Sequence, residues 1–474
     1  MGLAAVGIGQ PEGDVLAEVL ERAANDYERW EGQLARANHC AKPVRLSGRV
    51  TEVDRTTGEL RETFNTEREP DKTLLIACND RRESRCPSCA ARYKADSFQL
   101  VAAGLRGGKG VPETVAEHPM LFVTFTAPSF GAVHAHRSTG GVVHACRPRR
   151  AGKCVHGIPL SCWKRHDQDD ESIGRPLCPK CFDYEGQVLW NALAPELWRR
   201  TTIYVRRTLA RVVGMTLRDL EKVVRLSYVK VAEYQRRGAV HFHAVLRLDG
   251  KCPEPEHVPP PPANFTVEVL EDAIRAAADW VSAPVPEMDG DDSITVVARW
   301  GEQLHVRPIT GASSLSPRAV AAYVAKYATK CSDDLGLGNV GEVESRADTS
   351  GHLVGLVRAA QRLGGQRNLR GLRLQEHAFN LGFRGHWSTK SRRYSTTFTA
   401  LRRARSDFVK RQRCSKRIAL DQDVEPQENV ETLPEWRYIG CGYRTAGEAW
   451  LAMSAAARAR EHRRLAREDA SIKH

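Results

Sequence analysis

AEYQRRGAVHFHAV, residues 232–245, is the stretch that decides the fold, because it predicts a β-hairpin with metal-binding side chains. An apolar run lies on each side of the short basic turn at residues 235–238, whose glycine favours a hairpin. Side chains two apart on a strand point to one face, so His241 and His243 can bind one ion, with Glu233 as third ligand. We call these three residues the metal triad. The alternative is a pair of histidines bonded to neighbours on a half-buried strand.

The second motif is AVAAYVAKYATK, residues 319–330, which has the composition of a helix. Tyr323 and Tyr327 are four residues apart and therefore share one helix face. Lys326 and Lys330 each follow a tyrosine by three residues, so a phenol and an ammonium group can act on one phosphate. The alternative is an amphipathic helix whose tyrosines pack and whose lysines are solvated.

Together the two motifs predict a phosphodiester chemistry. A divalent ion, Mg²⁺ or Mn²⁺, on the metal triad would withdraw charge from the phosphodiester. Attack by Tyr323 or Tyr327 would then give a covalent intermediate. Because the ordinary pKa of tyrosine is about 10, a nearby cation or base must assist the loss of its proton, and Lys326 and Lys330 are the candidates. Which tyrosine acts first is left open.

These motifs resemble the HUH endonucleases that initiate rolling-circle replication. HFH at residues 241–243 stands where that family has its His-hydrophobe-His motif, and LFVTFTAP at residues 121–128 is similar to the upstream motif. The YxxK motif is present twice, and the order of the motifs along the chain also matches. The resemblance implies site-specific nicking at a double-strand origin, attachment through a 5′-phosphotyrosine, and strand closure after one round.

A narrower resemblance is to the replication initiators of actinobacterial plasmids and integrative conjugative elements, over about residues 40–450. Three segments carry it, at residues 177–202, 233–250 and 381–397. The partners that it implies are origin DNA, single-stranded at the nick, and a separate host helicase and polymerase. A separate helicase is expected because the sequence contains no G-x-x-x-x-G-K-[ST] phosphate-binding loop.

Three other functions remain open. A transposase or conjugative relaxase would use the same chemistry. A non-enzymatic, zinc-containing DNA-binding regulator would use Tyr323 and Tyr327 only for packing. Two histidines and a carboxylate also form the facial triad of iron oxygenases, although such enzymes need neither paired tyrosines nor a basic surface.

Thirteen cysteines favour structural zinc over disulfides, because the chain is long and its cysteines cluster with the spacing of metal ligands. Four thiolates leave no open position on zinc, so such sites are structural. Cys146, His156 and His166 are alternative ligands in the first cluster. The first predicted set is Cys154, Cys162, Cys178 and Cys181.

The second predicted zinc set lies upstream, around CPSC at residues 86–89. The gaps between its members are irregular, and buried free thiols are the alternative. His39 could replace the first member. The predicted set is Cys40, Cys78, Cys86 and Cys89.

Composition agrees with a nucleic-acid partner. The 474 residues carry a formal charge of +13, and 41% hydrophobic content is ample for a packed core. A basic chain suits phosphate, although RNA or a membrane surface would fit as well. The sequence contains no apolar run of about 18 residues and no basic cluster near Glu12 and Asp14, so we expect a cytoplasmic protein without a membrane partner.

Strands interleaved with helices predict an α+β fold, in which helices cover a central, largely antiparallel sheet. We expect an N-terminal helical region with a zinc knuckle at 1–117 and a nicking domain at 118–332. The latter would contain a cysteine-rich zinc insertion at about 144–184. A basic DNA-binding region would follow at 333–474.

Two finer predictions concern the second half of the chain. ITVVARW at residues 294–300 and QLHVRPI at residues 303–309 are expected to pair around a Gly301-Glu302 turn. In the basic region, aromatic side chains among the arginines could stack on bases, the alternative being a solvated arginine-rich surface. The aromatic candidates are His386, Trp387, Tyr394 and Phe398.

Overall fold

The computed structural model describes residues 10–148, 151–254, 257–285, 297–309, 316–330, 351–418 and 430–472. The helices are α1 (Gly13–Ala24), α2 (Tyr27–Arg36), α3 (Pro87–Arg106), α4 (Tyr184–Val212), α5 (Leu217–Val223), α6 (Val267–Trp280), α7 (Pro317–Tyr327), α8 (Gly351–Gly364), α9 (Phe398–Ile418) and α10 (Ala446–Ile472). The strands are β1 (Val44–Asp54), β2 (Leu60–Asn65), β3 (Leu74–Ile76), β4 (Met120–Phe125), β5 (Arg137–Thr139), β6 (Val142–His144), β7 (Val224–Tyr234), β8 (Val240–Gly250), β9 (Ser282–Pro284), β10 (Val297–Arg299), β11 (Leu304–Pro308), β12 (Ser388–Lys390) and β13 (Val430–Cys441).

The chain divides into two compact units. The first unit combines Met1–Ala95 with Arg402–His474, and the second unit is Asp96–Leu401. The predicted α+β class with antiparallel sheets and helices is confirmed.

The second unit is built on a five-stranded antiparallel sheet in the order β11-β4-β8-β7-β12. Phe125 on β4 and Phe242 on β8 lie on the face that packs against α4, and both rings contact Trp198 of that helix. Burying each such side chain stabilises the fold by about 1.5–3 kcal/mol. Because side chains alternate along a strand, the neighbours Thr124 and His243 lie on the opposite face.

The hairpin predicted from residues 294–300 and 303–309 is not formed. Within the described residues, β10 pairs with β9, whereas β11 pairs with β4 at the edge of the main sheet. The reason lies at the expected turn, where the Gly301 N–H donates to the Thr126 carbonyl at 2.8 Å. This bond fixes the segment to the end of β4, so the two short strands join different sheets. Residues 294–296 lie outside the described residues.

The first unit contains a sheet in the order β13-β1-β2, with β3 also paired to β1. β1 and β13 are antiparallel from the Val44 and Cys441 pair to the Asp54 and Val430 pair. Segments from the two ends of the chain therefore share one sheet. This arrangement differs from the predicted division at 1–117, 118–332 and 333–474, because strand partners distant in sequence leave no local signal.

Of the aromatic residues predicted to stack on bases, Tyr394 belongs instead to the packed interior and Trp387 packs half-buried against the core. Tyr394 is 0% exposed, and its hydroxyl donates to the Val101 carbonyl at 3.3 Å. Trp387 packs against the rings of Tyr234 and Phe383. The Tyr394 ring is therefore not available for stacking on bases, whereas Trp387 is only partly buried, and its stacking on bases stays a prediction.

Within the described ranges, no helix combines the length and the apolar character needed to cross a bilayer.

Candidate active site

The β7–β8 hairpin positions the metal triad. Glu233 lies directly opposite His241 in the antiparallel register, and His243 lies two residues further along β8 on the same face. The turn closes through a bond from the Gln235 N–H to the Ala239 carbonyl at 2.8 Å. The structure therefore forms the hairpin that the sequence predicts.

A buried asparagine of α4, which the sequence analysis did not single out, fixes this turn. The Asn191 side chain donates to the Gly238 carbonyl at 3.0 Å and accepts from the Val240 N–H at 3.0 Å. Gly238 has φ +77°, a conformation that favours glycine. An asparagine inside a helical pattern carries no signal of such a role, because its partners come from another part of the sequence.

The three triad side chains converge on one point. Nε2 of His241 lies 3.0 Å, and Nε2 of His243 lies 3.2 Å, from Oε2 of Glu233, and the two nitrogens are 3.1 Å apart. With metal–ligand distances of about 2.1 Å, neighbouring ligands are about 3.0 Å apart in an octahedron and about 3.4 Å apart in a tetrahedron. The observed spacing is nearer to one face of an octahedron, which would leave three positions for water or phosphate oxygens.

Thr124 on β4 holds one of the ligands. Its Oγ1 lies 2.9 Å from Nδ1 of His243, the residue that it faces across the β4–β8 pair. A hydrogen bond to one imidazole nitrogen fixes the ring and directs the other nitrogen to the ion. Thr124 is part of LFVTFTAP, so the sequence motif located this residue without indicating its role.

The triad has the protonation state that a metal site requires. Burial favours the neutral form of Glu233, but the bonds from His241 and His243 outweigh it and lower the pKa of this carboxyl to about 2. Burial also lowers the pKa of His243, despite the nearby carboxylate. The site therefore presents a charged carboxylate and a neutral imidazole, the forms that bind metal ions.

The tyrosine helix α7 lies against β7 and brings both phenols to the triad. The Tyr323 hydroxyl is 3.2 Å from Nε2 of His243, and the Tyr323 side chain is 37% exposed. The Tyr327 ring lies 5.4 Å from the His243 ring and 4.6 Å from the Tyr323 ring, between centroids. The structure thus places the two sequence motifs in one site.

Both phenols hold their protons firmly in this environment. Burial raises the pKa of Tyr323, and the adjacent Tyr327 and the Glu233 charge raise it further. Burial and the Glu233 charge likewise raise the pKa of Tyr327. Neutralising the carboxylate with a cation would remove one of these causes.

The two lysines both lie beside one tyrosine. Nζ of Lys326 and Nζ of Lys330 are each 5.4 Å from the centroid of the Tyr327 ring. The sequence pattern had predicted one lysine beside each tyrosine, because a lysine follows each tyrosine by three residues. The helix geometry accounts for the difference, because Lys326 is adjacent to Tyr327 in sequence as well as three residues from Tyr323.

The predicted upstream cysteine set comes together in the first unit, and we call it the tetrathiolate group. Its Sγ atoms are 3.8 Å apart between Cys86 and Cys40 and 3.7 Å apart between Cys78 and Cys89. Tetrahedral zinc with bonds of about 2.3 Å requires thiolates about 3.8 Å apart. These four cysteines could therefore hold a zinc ion.

The predicted downstream set is divided between two groups, which corrects the expected four-cysteine site. Cys162 pairs with Arg147 through two backbone bonds of 2.8 and 3.1 Å, which align it with Cys146. Cys154 does not join Cys162, because the turn after Cys154 brings His156 close to Cys154. The HisCys3 group is Cys154, His156, Cys178 and Cys181, and the His2Cys2 group is His134, Cys146, Cys162 and His166.

His134 was absent from the sequence-based candidates for these groups. It is part of a second His-x-His pattern, HAH at residues 134–136, which was the available signal.

Comparison with known proteins gives two positive results. A family model described as "Replication initiator protein, pSAM2" matches residues 26–457. A "Replication initiator protein" of Streptomyces ambofaciens is 43% identical over 466 residues, which cover 96% of this chain and 95% of that protein. No solved structure matches the chain. Both the extent of the family match and the identity to this relative exceed what chance similarity gives, and the chain therefore belongs to the family of pSAM2 replication initiator proteins.

Proposed function

We propose that the protein initiates replication by nicking and rejoining one strand of origin DNA with a tyrosine nucleophile. The observation that carries the proposal is the 3.2 Å contact between the Tyr323 hydroxyl and His243, a member of the metal triad. Family membership supports the role in initiation. The HUH-like fold, the nicking activity and the covalent intermediate are parts of this proposal.

The triad fits a divalent ion, because its donor atoms are a charged carboxylate oxygen and two imidazole nitrogens with near-octahedral spacing. A bound Mg²⁺ or Mn²⁺ would withdraw charge from the scissile phosphodiester. Thr124 keeps His243 oriented, and Asn191 keeps the hairpin closed. The protein thus supplies a preorganised site on rigid strands.

In the proposed step the Tyr323 oxygen attacks phosphorus and the bond from phosphorus to the 3′ oxygen breaks. The phenol loses one proton and the departing 3′ oxygen gains one, so the products are a 5′-phosphotyrosine and a free 3′ hydroxyl. One phosphodiester replaces another, which allows rejoining without ATP. Tyr327 is proposed for the second transfer, because Lys326 and Lys330 lie beside its ring and their charges would oppose the burial and the Glu233 charge that raise its pKa.

The test is a nicking assay with supercoiled and single-stranded origin DNA in Mg²⁺ or Mn²⁺, analysed on denaturing gels for protein–DNA adducts. We expect adducts with the unsubstituted protein and none with the Tyr323→Phe/Tyr327→Phe double variant. Tyr438→Phe is the matched control, because that phenol is 64% exposed on β13. Adducts that persist in the double variant would refute the tyrosine mechanism.

The same assay separates the alternatives. A non-enzymatic regulator would bind the origin equally well without either phenol and would never form an adduct. A transposase or relaxase would form the adduct on its own target ends in preference to a replication origin. The host helicase and polymerase are proposed partners, testable by reconstituting synthesis from the nicked origin.

A further inference from the structure

The eight ligands of the HisCys3 and His2Cys2 groups alternate in pairs along the chain. A pair from the His2Cys2 group comes first, then a pair from the HisCys3 group, and the order repeats. In sequence the pairs are His134 with Cys146, Cys154 with His156, Cys162 with His166, and Cys178 with Cys181.

The His2Cys2 group has the spacing of a tetrahedral site. Nε2 of His166 lies 3.2 Å from Nδ1 of His134 and 3.5 Å from Sγ of Cys162. Zinc with bonds of about 2.3 Å to sulphur and about 2.05 Å to nitrogen requires about 3.4 Å between nitrogens and about 3.5 Å between sulphur and nitrogen. The opposite nitrogen of His166 is 2.9 Å from an oxygen of Asp170, which directs Nε2 to the site.

The HisCys3 group is similar in dimension. Nδ1 of His156 lies 3.2 Å from Sγ of Cys181 and 3.7 Å from Sγ of Cys178. All four donor atoms lie within 4.8 Å of one another. These distances bracket the sulphur-to-nitrogen edge of a zinc tetrahedron.

The chain segment that carries the two groups has few buried apolar side chains. Among the described residues of 129–182, the buried aromatic, aliphatic and proline side chains outside the ligands are Phe182 and Pro176. Val155 is 94% exposed and Trp163 is 71% exposed. Segments with so small a core need disulfides or metal ions to stay folded, and the cysteines here are free thiols.

We propose that residues 134–181 form a binuclear zinc module in which two ions with interleaved ligand pairs replace the missing core. Each ion ties together two chain segments that flank a ligand pair of the other ion. Neither group has an open position, so both ions are structural. This inference does not depend on the nicking mechanism.

The module is joined to the hairpin that carries the metal triad. Asp170, whose carboxylate bonds to His166, accepts a hydrogen bond through its backbone carbonyl from Arg236 of the β7–β8 turn at 3.2 Å. Gly174 lies against the same turn, where an added Cβ would be 2.5 Å from the Arg236 carbonyl carbon. An ion in the His2Cys2 group therefore braces the turn through Asp170.

The test counts zinc by native mass spectrometry in the full chain, with His241→Ala and His243→Ala present so that the triad binds no zinc. With the tetrathiolate group included, we expect about three ions per chain, about two in Cys162→Ser and in Cys178→Ser, and about one in the double variant. Cys252→Ser, at a free cysteine outside the three groups, is the matched control and keeps about three. If Cys162 and Cys178 shared one ion, the double variant would match the single variants, and the proposal would be overturned.

A second measurement needs no cysteine substitution. X-ray absorption at the zinc edge reports the average ligand set, for which the three groups supply nine sulphur and three nitrogen atoms. Two four-cysteine sites would supply sulphur alone. If a single substitution empties both groups, the fraction of nitrogen among the zinc ligands decides between the two arrangements. Nitrogen at about a quarter of the ligands supports the module, and sulphur alone overturns it.

Discussion

Replacing Thr124 with valine should weaken metal binding at the triad while leaving the fold intact. The substitution keeps the shape of the side chain and its β-branch but removes the 2.9 Å contact with Nδ1 of His243. The imidazole then loses the partner that fixes its orientation. Thr124 is half-buried on β4, and the β-branched side chain of valine suits a strand position.

The magnitude follows from that single bond. A hydrogen bond of this kind contributes about 0.5–1.5 kcal/mol, and partners that orient metal ligands are worth about 10–100-fold in affinity. The two ranges overlap near 1.4 kcal/mol, which corresponds to an affinity change of about tenfold. We therefore expect the concentration of Mn²⁺ needed for half-maximal nicking to rise about tenfold.

The assay is a metal titration of nicking, accompanied by thermal unfolding. Thr124→Ser, which keeps the hydroxyl, should restore the metal dependence. Thr389→Val on β12 is the control for replacing a strand threonine, since β12 pairs with β7 and Thr389 faces Lys230 in that register. An unchanged metal dependence in Thr124→Val would refute the orienting role.

Three further predictions concern the frame around the site. Asp249→Asn should lower the free energy of unfolding, measured in urea, by about 3–5 kcal/mol, because it leaves the fully buried Arg247 without a counter-charge. Burial favours the neutral form of Asp249, but the bonds from His118 and Arg247 outweigh it and lower the pKa of this carboxyl. The stability that the carboxylate contributes is therefore present above pH about 4 and is lost as the pH falls further. Ser316→Ala should destabilise α7 by about 1 kcal/mol, measured by thermal unfolding, because Oγ of Ser316 accepts from the N–H of Ala319 at the helix start. Cys162→Ser should speed amide exchange at the hairpin turn, whereas Cys252→Ser should leave it unchanged.

Local patterns predicted the centre of the second unit well. The hairpin needs only two apolar runs and a glycine-containing turn, and the two-residue spacing of His241 and His243 places them on one face whatever lies around them. The four-residue spacing of Tyr323 and Tyr327 likewise places both phenols on one side of α7. These features depend on interactions between residues close in sequence.

Choices between distant partners were not predictable in the same way. Cys162 joined Cys146 because of a backbone pairing with Arg147, and no spacing rule distinguishes that arrangement from a four-cysteine site. Tyr394 occurs among arginines as a base-stacking residue would, yet its ring fills space beside Gly104 and Arg247. A basic neighbourhood in sequence does not report burial.

The sequence by itself determined the donor atoms, their spacing along the strand and the helix, and the family to which the chain belongs, since these depend on residue identity and short-range geometry. Tertiary structure alone decided that the Tyr323 hydroxyl meets His243, that eight cysteine and histidine side chains separate into two interleaved groups, and that β13 completes a sheet begun by β1. The physical reason is that strand pairing and side-chain burial select among many partners of similar local preference. That selection is made by the packing of the whole unit.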